Sequence, residues 1–222
     1  LKLLLRLRQS VAHPQLVIKA LNREFDRHSN AIAVAGLAAT LPPLKNQLYA
    51  SYIGTTTKID YLKKQIAQNK NDKALIFCQF HLEIDMIVDA LRRMGKNVLK
   101  LDGRTKRGER RYIEQLCKPI SVLKTEIIQN ISLVLNKLQI YHLHTIIINL
   151  ISSFILPSVD VCVIQIKSGG TGLNLQYFNR VYINSCDWNP SNELQAMARS
   201  HRMGQTKPVY VEKLILREKT SF

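Results

Sequence analysis

Residues 74–101 read ALIFCQFHLEIDMIVDALRRMGKNVLKL, and this stretch decides the fold class. ALIFCQF (74–80) is an apolar run of strand length, HLEIDMIVDALRRMG (81–95) reads as a helix, and NVLKL (97–101) reads as a second strand. A strand, a crossing helix and another strand form the repeating unit of a parallel sheet. The pattern continues outward on both sides. A helix, IDYLKKQIAQN, precedes it and a charged helix, RGERRYIEQL, follows; farther on come the apolar run VCVIQI, a glycine-rich turn, VYIN, a helix SNELQAMARSHR and a last strand PVYVEKLI. The expected class is α/β, a parallel sheet with flanking helices, beginning near Lys58 and running to Phe222.

Two segments depart from the alternation. Residues 1–21 carry Leu and Val at helical spacing with Pro14 limiting or kinking the helix, whereas 22–57, with Asn30, Gly36, Pro42, Pro43, Gly54 and three consecutive threonines, has no sustained period and reads as a linker or mobile loop. Residues of about 118–158 read as a helical or apolar insert. They hold a run, Leu138 to Val159, without Asp, Glu, Lys or Arg, long enough to span a bilayer. Gln139, His142, His144, Thr145, Asn149, Ser152 and Ser153 dilute its hydrophobicity, and a span between two strands of one sheet would tear the domain apart. A packed insert, or sequence never selected to fold here, is preferred to a membrane anchor.

The chain has 222 residues and 46% hydrophobic composition, enough for one buried core. Lys and Arg number 32 against 16 Asp and Glu, a net charge of +16. Such a surface attracts polyanions, nucleic acid first and anionic membrane second. Cys78, Cys117, Cys162 and Cys186 form no Cys-x-x-Cys pair, and the six histidines do not group with them, so buried free thiols and no metal site are expected. LKLLLRLRQS at the start has basic residues breaking its apolar centre and no initiating Met, which reads as a fragment without a visible targeting signal.

Two segments carry candidate chemistry. In KSGGTGLNLQ (167–176) the glycines let backbone N–H groups approach phosphate oxygens, with Lys167, Ser168 and Thr171 as added donors; a plain structural turn is the alternative. In DWNPSNELQAMARSHRMGQTKPV (187–209) Asn189 and Pro190 open a helix on which Arg199 and Arg202, three apart, share a face. Two such guanidiniums can grip a phosphate and neutralise charge developing in phosphoryl transfer, or they can be two solvated arginines.

Taken together, SGGTGLNL, then WNP and QAMARSHRMGQTK, resemble motifs V and VI of the Swi/Snf-type ATPases of helicase superfamily two. KALIFCQF resembles motif IV, LDGRTKRGER the LDG-S/T segment with its trailing Arg110, and LLRLRQSVAHPQLV the LRQ…HP stretch found after the first lobe in a group that includes transcription-termination and post-replication-repair translocases. The matching segments are roughly 4–16, 58–116 and 161–214.

This resemblance implies a RecA-like second lobe that works with a first lobe, the latter holding ATP and Mg²⁺. Carried over by position, Arg199 and Arg202 are the expected arginine fingers. Gln195 aligns their helix, and Gly172 and Asn174 lie near the nucleotide. Arg104, Thr105, Arg110, Lys167, Ser168, Gly169, Gly170 and Thr171 are expected along double-stranded DNA. It also implies a nuclear motor of chromatin remodelling, transcription or repair, with nucleosomes among its possible partners and no membrane. The 222 residues contain no G-x-x-x-x-G-K-[ST] loop, so this chain alone is expected to be inactive. A non-catalytic DNA-binding or scaffold protein is the alternative. The chain departs from the pattern in three places: the insert separates Arg110 from Ser168 by 58 positions, Asn184 and Ser185 stand where an acidic residue is common, and the sequence stops at Phe222 before the brace-like helices.

Overall fold

In the computed structural model, residues 2–34, 54–118, 120–137, 158–169 and 173–216 are described. The helices among them are α1 (Lys2–Ala12), α2 (Pro14–Val34), α3 (Thr57–Gln68), α4 (His81–Arg92), α5 (Arg107–Cys117), α6 (Ile120–Lys137), α7 (Ile166–Gly169) and α8 (Pro190–Met197). The strands are β1 (Ala74–Cys78), β2 (Val98–Leu101), β3 (Val161–Gln165), β4 (Arg180–Ile183) and β5 (Tyr210–Lys213). They form one sheet in the order β2-β3-β1-β4-β5, and every pairing is parallel.

The expected class holds, because an apolar run covered on both faces must sit mid-sheet. All five residues of β1 are buried, and alternate side chains enter opposite cores. Ala74, Ile76 and Cys78 pack with Ile59, Leu62 and Ile66 of α3 and with Ile84, Ile87, Val88 and Leu91 of α4. Leu75 and Phe77 pack on the other face with Cys117 of α5, Cys162 and Ile164 of β3, Phe178, and Ala196 of α8. The α4 spacing i, i+3, i+4, i+7 is one helical face. Glu83 fixes its start by accepting from the N–H groups of Gln79 and Phe80, each at 3.2 Å. Gly95, at φ 74, ends the turn after it in a conformation that a side chain would strain.

Helix α6 lies in the expected insert and differs from α4 in one respect. Its apolar residues spread around the helix, and no described residue of it is buried. The apolar run from Leu138 lies almost wholly outside the described residues. Among the described residues no helix is long and apolar enough to cross a membrane. At the other end of the chain, the break comes at His13, and Pro14 starts α2, where its missing N–H has no bond to lose. The linker expected from residue 22 is corrected over its first part, since α2 continues to Val34. Nothing between Leu21 and Val34 is Gly or Pro, so the helix had no breaker.

Candidate nucleic-acid and nucleotide site

The loops leaving the C-terminal ends of β1, β2 and β3 are knitted together by side chains, at the edge where open parallel sheets bind ligands. Gln165, the last residue of β3, is the hub. Its Oε1 accepts from Gly103 N–H and from Ser168 Oγ, both at 3.1 Å, while its Nε2 donates to the Gln79 carbonyl at 3.2 Å. Arg110, on α5, closes the same loops from the side. It donates from Nε to the Thr105 carbonyl (3.1 Å), from Nη1 to the Ser168 carbonyl (3.3 Å) and from Nη2 to the Asp102 carbonyl (3.3 Å).

Asp102 follows β2 directly and is fully buried. It accepts from the Arg104 backbone (2.8 Å) and from Arg104 Nε and Nη2 (2.9 and 2.5 Å), and His81 Nδ1 lies 3.3 Å away. Burial by itself would raise this carboxyl. The Arg104 guanidinium and backbone N–H outweigh it and bring the pKa down to about 2. Thr105 Oγ1 accepts from Asp102 N–H at 3.1 Å. The expected DNA contacts on this loop therefore divide. Thr105 and Arg110, both half-buried, bond to the chain's own backbone, while Arg104 remains more than half exposed and Lys167 is exposed. Ser168 is buried, Gly169 ends α7, and Gly170, Thr171 and Gly172 lie outside the described residues.

The far end of the glycine-rich segment meets the arginines. Asn189 caps α8 by accepting from Ser191 N–H at 3.0 Å, with Pro190 in the first turn, as the sequence implies. The shared helical face expected for Arg199 and Arg202 is corrected, because α8 ends at Met197. Just past its end the chain is held by tertiary partners. The Arg199 carbonyl accepts from Leu175 N–H at 3.3 Å, Ser200 is fully buried, and Gly204 turns the chain at φ 95. Arg199 is half-buried and Arg202 exposed, in the turns that follow, while Gln195 is exposed on α8. Gln205 Nε2 fastens this turn to the Gln176 and Phe178 carbonyls. Half-buried Asn174, its Oδ1 accepting from Gln176 N–H at 3.4 Å, thus lies in the segment against which the arginine turn is held.

Sequence reasoning missed Gln165, Asp102, Gln205 and a buried cluster. Glu83 Oε1 accepts from Asn184 Nδ2 and Ser185 Oγ, each at 2.5 Å, and Lys58 Nζ donates to the Asn184 carbonyl at 2.6 Å. Burial lowers the Lys58 pKa, and Glu83 partly restores it. An acid at 184 or 185 would face the Glu83 carboxylate, so the amide and hydroxyl here are its complement. One signal was available: Gln165 is a polar residue inside an otherwise apolar run. Cys78, Cys117 and Cys162 are buried free thiols, and the described residues hold no cluster of metal-ligating side chains.

A family model described as "Helicase conserved C-terminal domain" matches residues 57–130 and 146–204, stepping over 131–145 inside the expected insert. A Caenorhabditis elegans protein, the homolog of "SWI/SNF-related matrix-associated actin-dependent regulator of chromatin subfamily A containing DEAD/H box 1", is 30% identical over 172 residues, which are 78% of this chain and 14% of that protein. "DNA repair protein RAD5" of Cryptococcus neoformans is 31% identical over 168 residues, 73% of this chain and 11% of its own length. Among solved structures, "Crystal structure of the C-terminal part of Fun30 ATPase domain" superposes with a TM-score of 0.50 at 26% identity, covering 86% of this chain and 49% of that one. The chain thus spans about a seventh of the first of these relatives and less of the second.

Proposed function

Because the chain belongs to the helicase conserved C-terminal domain family, as a Swi/Snf-type member, we propose that it is the second motor lobe of an ATP-dependent double-stranded-DNA translocase. The observation that carries this reading is the pairing of the two ends of one segment. At its start, Ser168 joins the rim built by Gln165 and Arg110; at its end, Leu175 and Gln176 hold the turn that carries Arg199 and Arg202. One continuous piece of chain thus connects the DNA-facing loops to the arginines.

In this reading the rim, with Arg104 and Lys167 on its surface and the glycine-rich backbone beside them, grips the phosphate backbone without reading bases. Arg199 and Arg202 reach phosphates held by a first lobe and neutralise charge there, while Asn174 lies near the nucleotide and Gln195, on α8, aligns the turn that carries the arginines. Two guanidiniums and an amide suit a triphosphate. Bound ATP supplies the transferable phosphoryl group, and Mg²⁺ belongs with carboxylates of the first lobe. Chromatin, transcription or repair is the setting inferred, in the nucleus.

The test is reconstitution. The 222-residue chain alone should hydrolyse no ATP with or without DNA. Joined to a first lobe that carries the phosphate-binding Lys loop and acidic box, in one chain or in trans, it should show DNA-stimulated hydrolysis. Hydrolysis by the isolated chain, or an assembly whose turnover ignores DNA, overturns the proposal.

A further inference from the structure

Helix α2, which runs on into the first part of the expected linker, brings a second charged wall to the rim. Lys19 and Arg23 lie four residues apart on α2, both exposed, and they line a cleft of about 470 Å³ whose opposite wall carries Gln79, His81, Asp85 and Arg104. Arg27, also exposed, stands four residues farther along α2 and extends the row beyond the cleft. One helical step of four residues advances about 6 Å.

The acids nearby are largely occupied. Asp85 is bonded to Lys100 at 2.8 Å and lies 3.5 Å from Arg104, Asp102 is buried beneath Arg104, and Glu24 turns to Arg6 at 2.6 Å. Asp26, exposed beside Arg27, is the second acid of this part of α2 after Glu24. The cleft between the walls is too small for a duplex. It suits the edge of one, a single phosphodiester strand, whose charges recur about every 3.4 Å along the axis.

We infer that α2 is the second wall of a groove for a nucleic-acid phosphate backbone, with Lys19 and Arg23 contacting phosphates opposite Arg104. The inference rests on the proposed reading that this lobe grips duplex DNA, and it assigns part of that grip to a helix outside the sheet. The two walls approach one strand from both sides, so the contacts add without base recognition. Arg23 can fork onto two phosphate oxygens, while Lys19 acts as a point charge.

The experiment is a titration of a labelled 30-base-pair duplex of arbitrary sequence with the whole chain across a range of salt concentrations. Three proteins are compared: wild type, Lys19→Ala/Arg23→Ala, and Lys64→Ala/Lys70→Ala, which removes the same charge from exposed positions outside the cleft. The α2 pair should lower the slope of log K against log salt by about two and weaken binding by on the order of tenfold or more, because each lost phosphate contact removes roughly one unit of slope. The control pair should change both by much less. Lys19→Glu/Arg23→Glu should weaken binding further, and thermal unfolding should be unchanged in every variant, since the side chains are exposed. If the α2 pair behaves like the control while the wild type binds duplex with a steep salt dependence, the α2 wall is wrong and the DNA-gripping lobe stands. If the wild type shows no salt-dependent duplex binding, the DNA reading itself fails and this inference with it. If the α2 pair loses affinity for poly-glutamate but not for duplex, the helix is an acidic-protein surface and the inference is overturned.

Discussion

The two ends of residues 165–178 are held by different means. At the Gln165–Ser168 end, side chains bind the loops: one glutamine and one arginine make six hydrogen bonds between them, four to loop residues and two to the hydroxyl and carbonyl of Ser168. At the arginine end, the backbone and a single glutamine do it, through Leu175 to Arg199, Gly204 at positive φ, and Gln205. The first arrangement fixes the rim that the proposed function sets against a phosphate backbone, and so holds its shape. The second leaves Arg202 exposed on a turn, where a partner lobe can engage it.

Substitutions should separate the two ends, and the largest effect is expected where the fold depends least on the side chain. In the reconstituted motor, Arg202→Ala or Arg199→Ala should cut turnover about a thousandfold, as loss of an arginine finger does. Duplex affinity should change little. Lys at either position should also fail, because a point charge cannot reproduce the planar fork. Near-normal turnover with weakened DNA binding in Arg202→Ala would move the turn into the DNA groove and erase the contrast.

At the other end, Arg110→Ala should act first on stability. Losing one charged donor to three carbonyls should cost about 3 kcal/mol in urea unfolding, and DNA affinity should fall with the loosened rim even though Arg110 bonds to the chain's own backbone. A stable Arg110→Ala with selective loss of DNA binding would make Arg110 a direct phosphate contact.

Acid should act on the same end. The Asp102 pKa, about 2 in the fold, lies below its ordinary value near 4. Its contribution is therefore complete above the unfolded value and is lost as pH falls from about 4 to about 2, amounting to about 2 kcal/mol. The slope of stability against pH in that window should flatten in Asp102→Asn, which already lacks the ionised form. An unchanged slope would deny Asp102 its place in the rim.

The smallest effect belongs to the arginine turn's backbone. A Cβ at Gly204 would sit 3.0 Å from Gln176 Oε1, at a φ that side chains rarely adopt. Gly204→Ala should cost roughly 1 kcal/mol of stability, and in the motor it should lower turnover more than DNA affinity. The reverse pattern would mean that the turn supports the rim.

Part of this could be read directly. ALIFCQF and VCVIQI announced buried parallel strands because continuous apolar runs of that length have few other places to go, and Asn189-Pro190 announced the start of α8. The end of α8 could not be read. SNELQAMARSHR has no breaker before Gly204, yet the helix stops at Met197, and two residues on the Arg199 carbonyl accepts from Leu175, distant in sequence. The same limit affected the second half of α2, which reads, together with the Gly- and Pro-containing stretch after it, as having no sustained period.

The sequence by itself determined the strand and helix alternation, the parallel class, the free thiols, the positive charge and the family motifs, because periodicity, composition and local spacing are properties of neighbours along the chain. Tertiary structure decided that Arg110 reaches the Ser168 carbonyl, that Gln165 joins three loops, that Glu83 is complemented by Asn184 and Ser185, and that α2 lies beside Arg104. Each depends on which backbone groups and charges meet across 58 to more than 100 residues, as with Arg110 and Ser168 or Glu83 and Ser185. Hydrogen-bond partners at that separation are chosen by the packing of the whole sheet, and no local pattern encodes them.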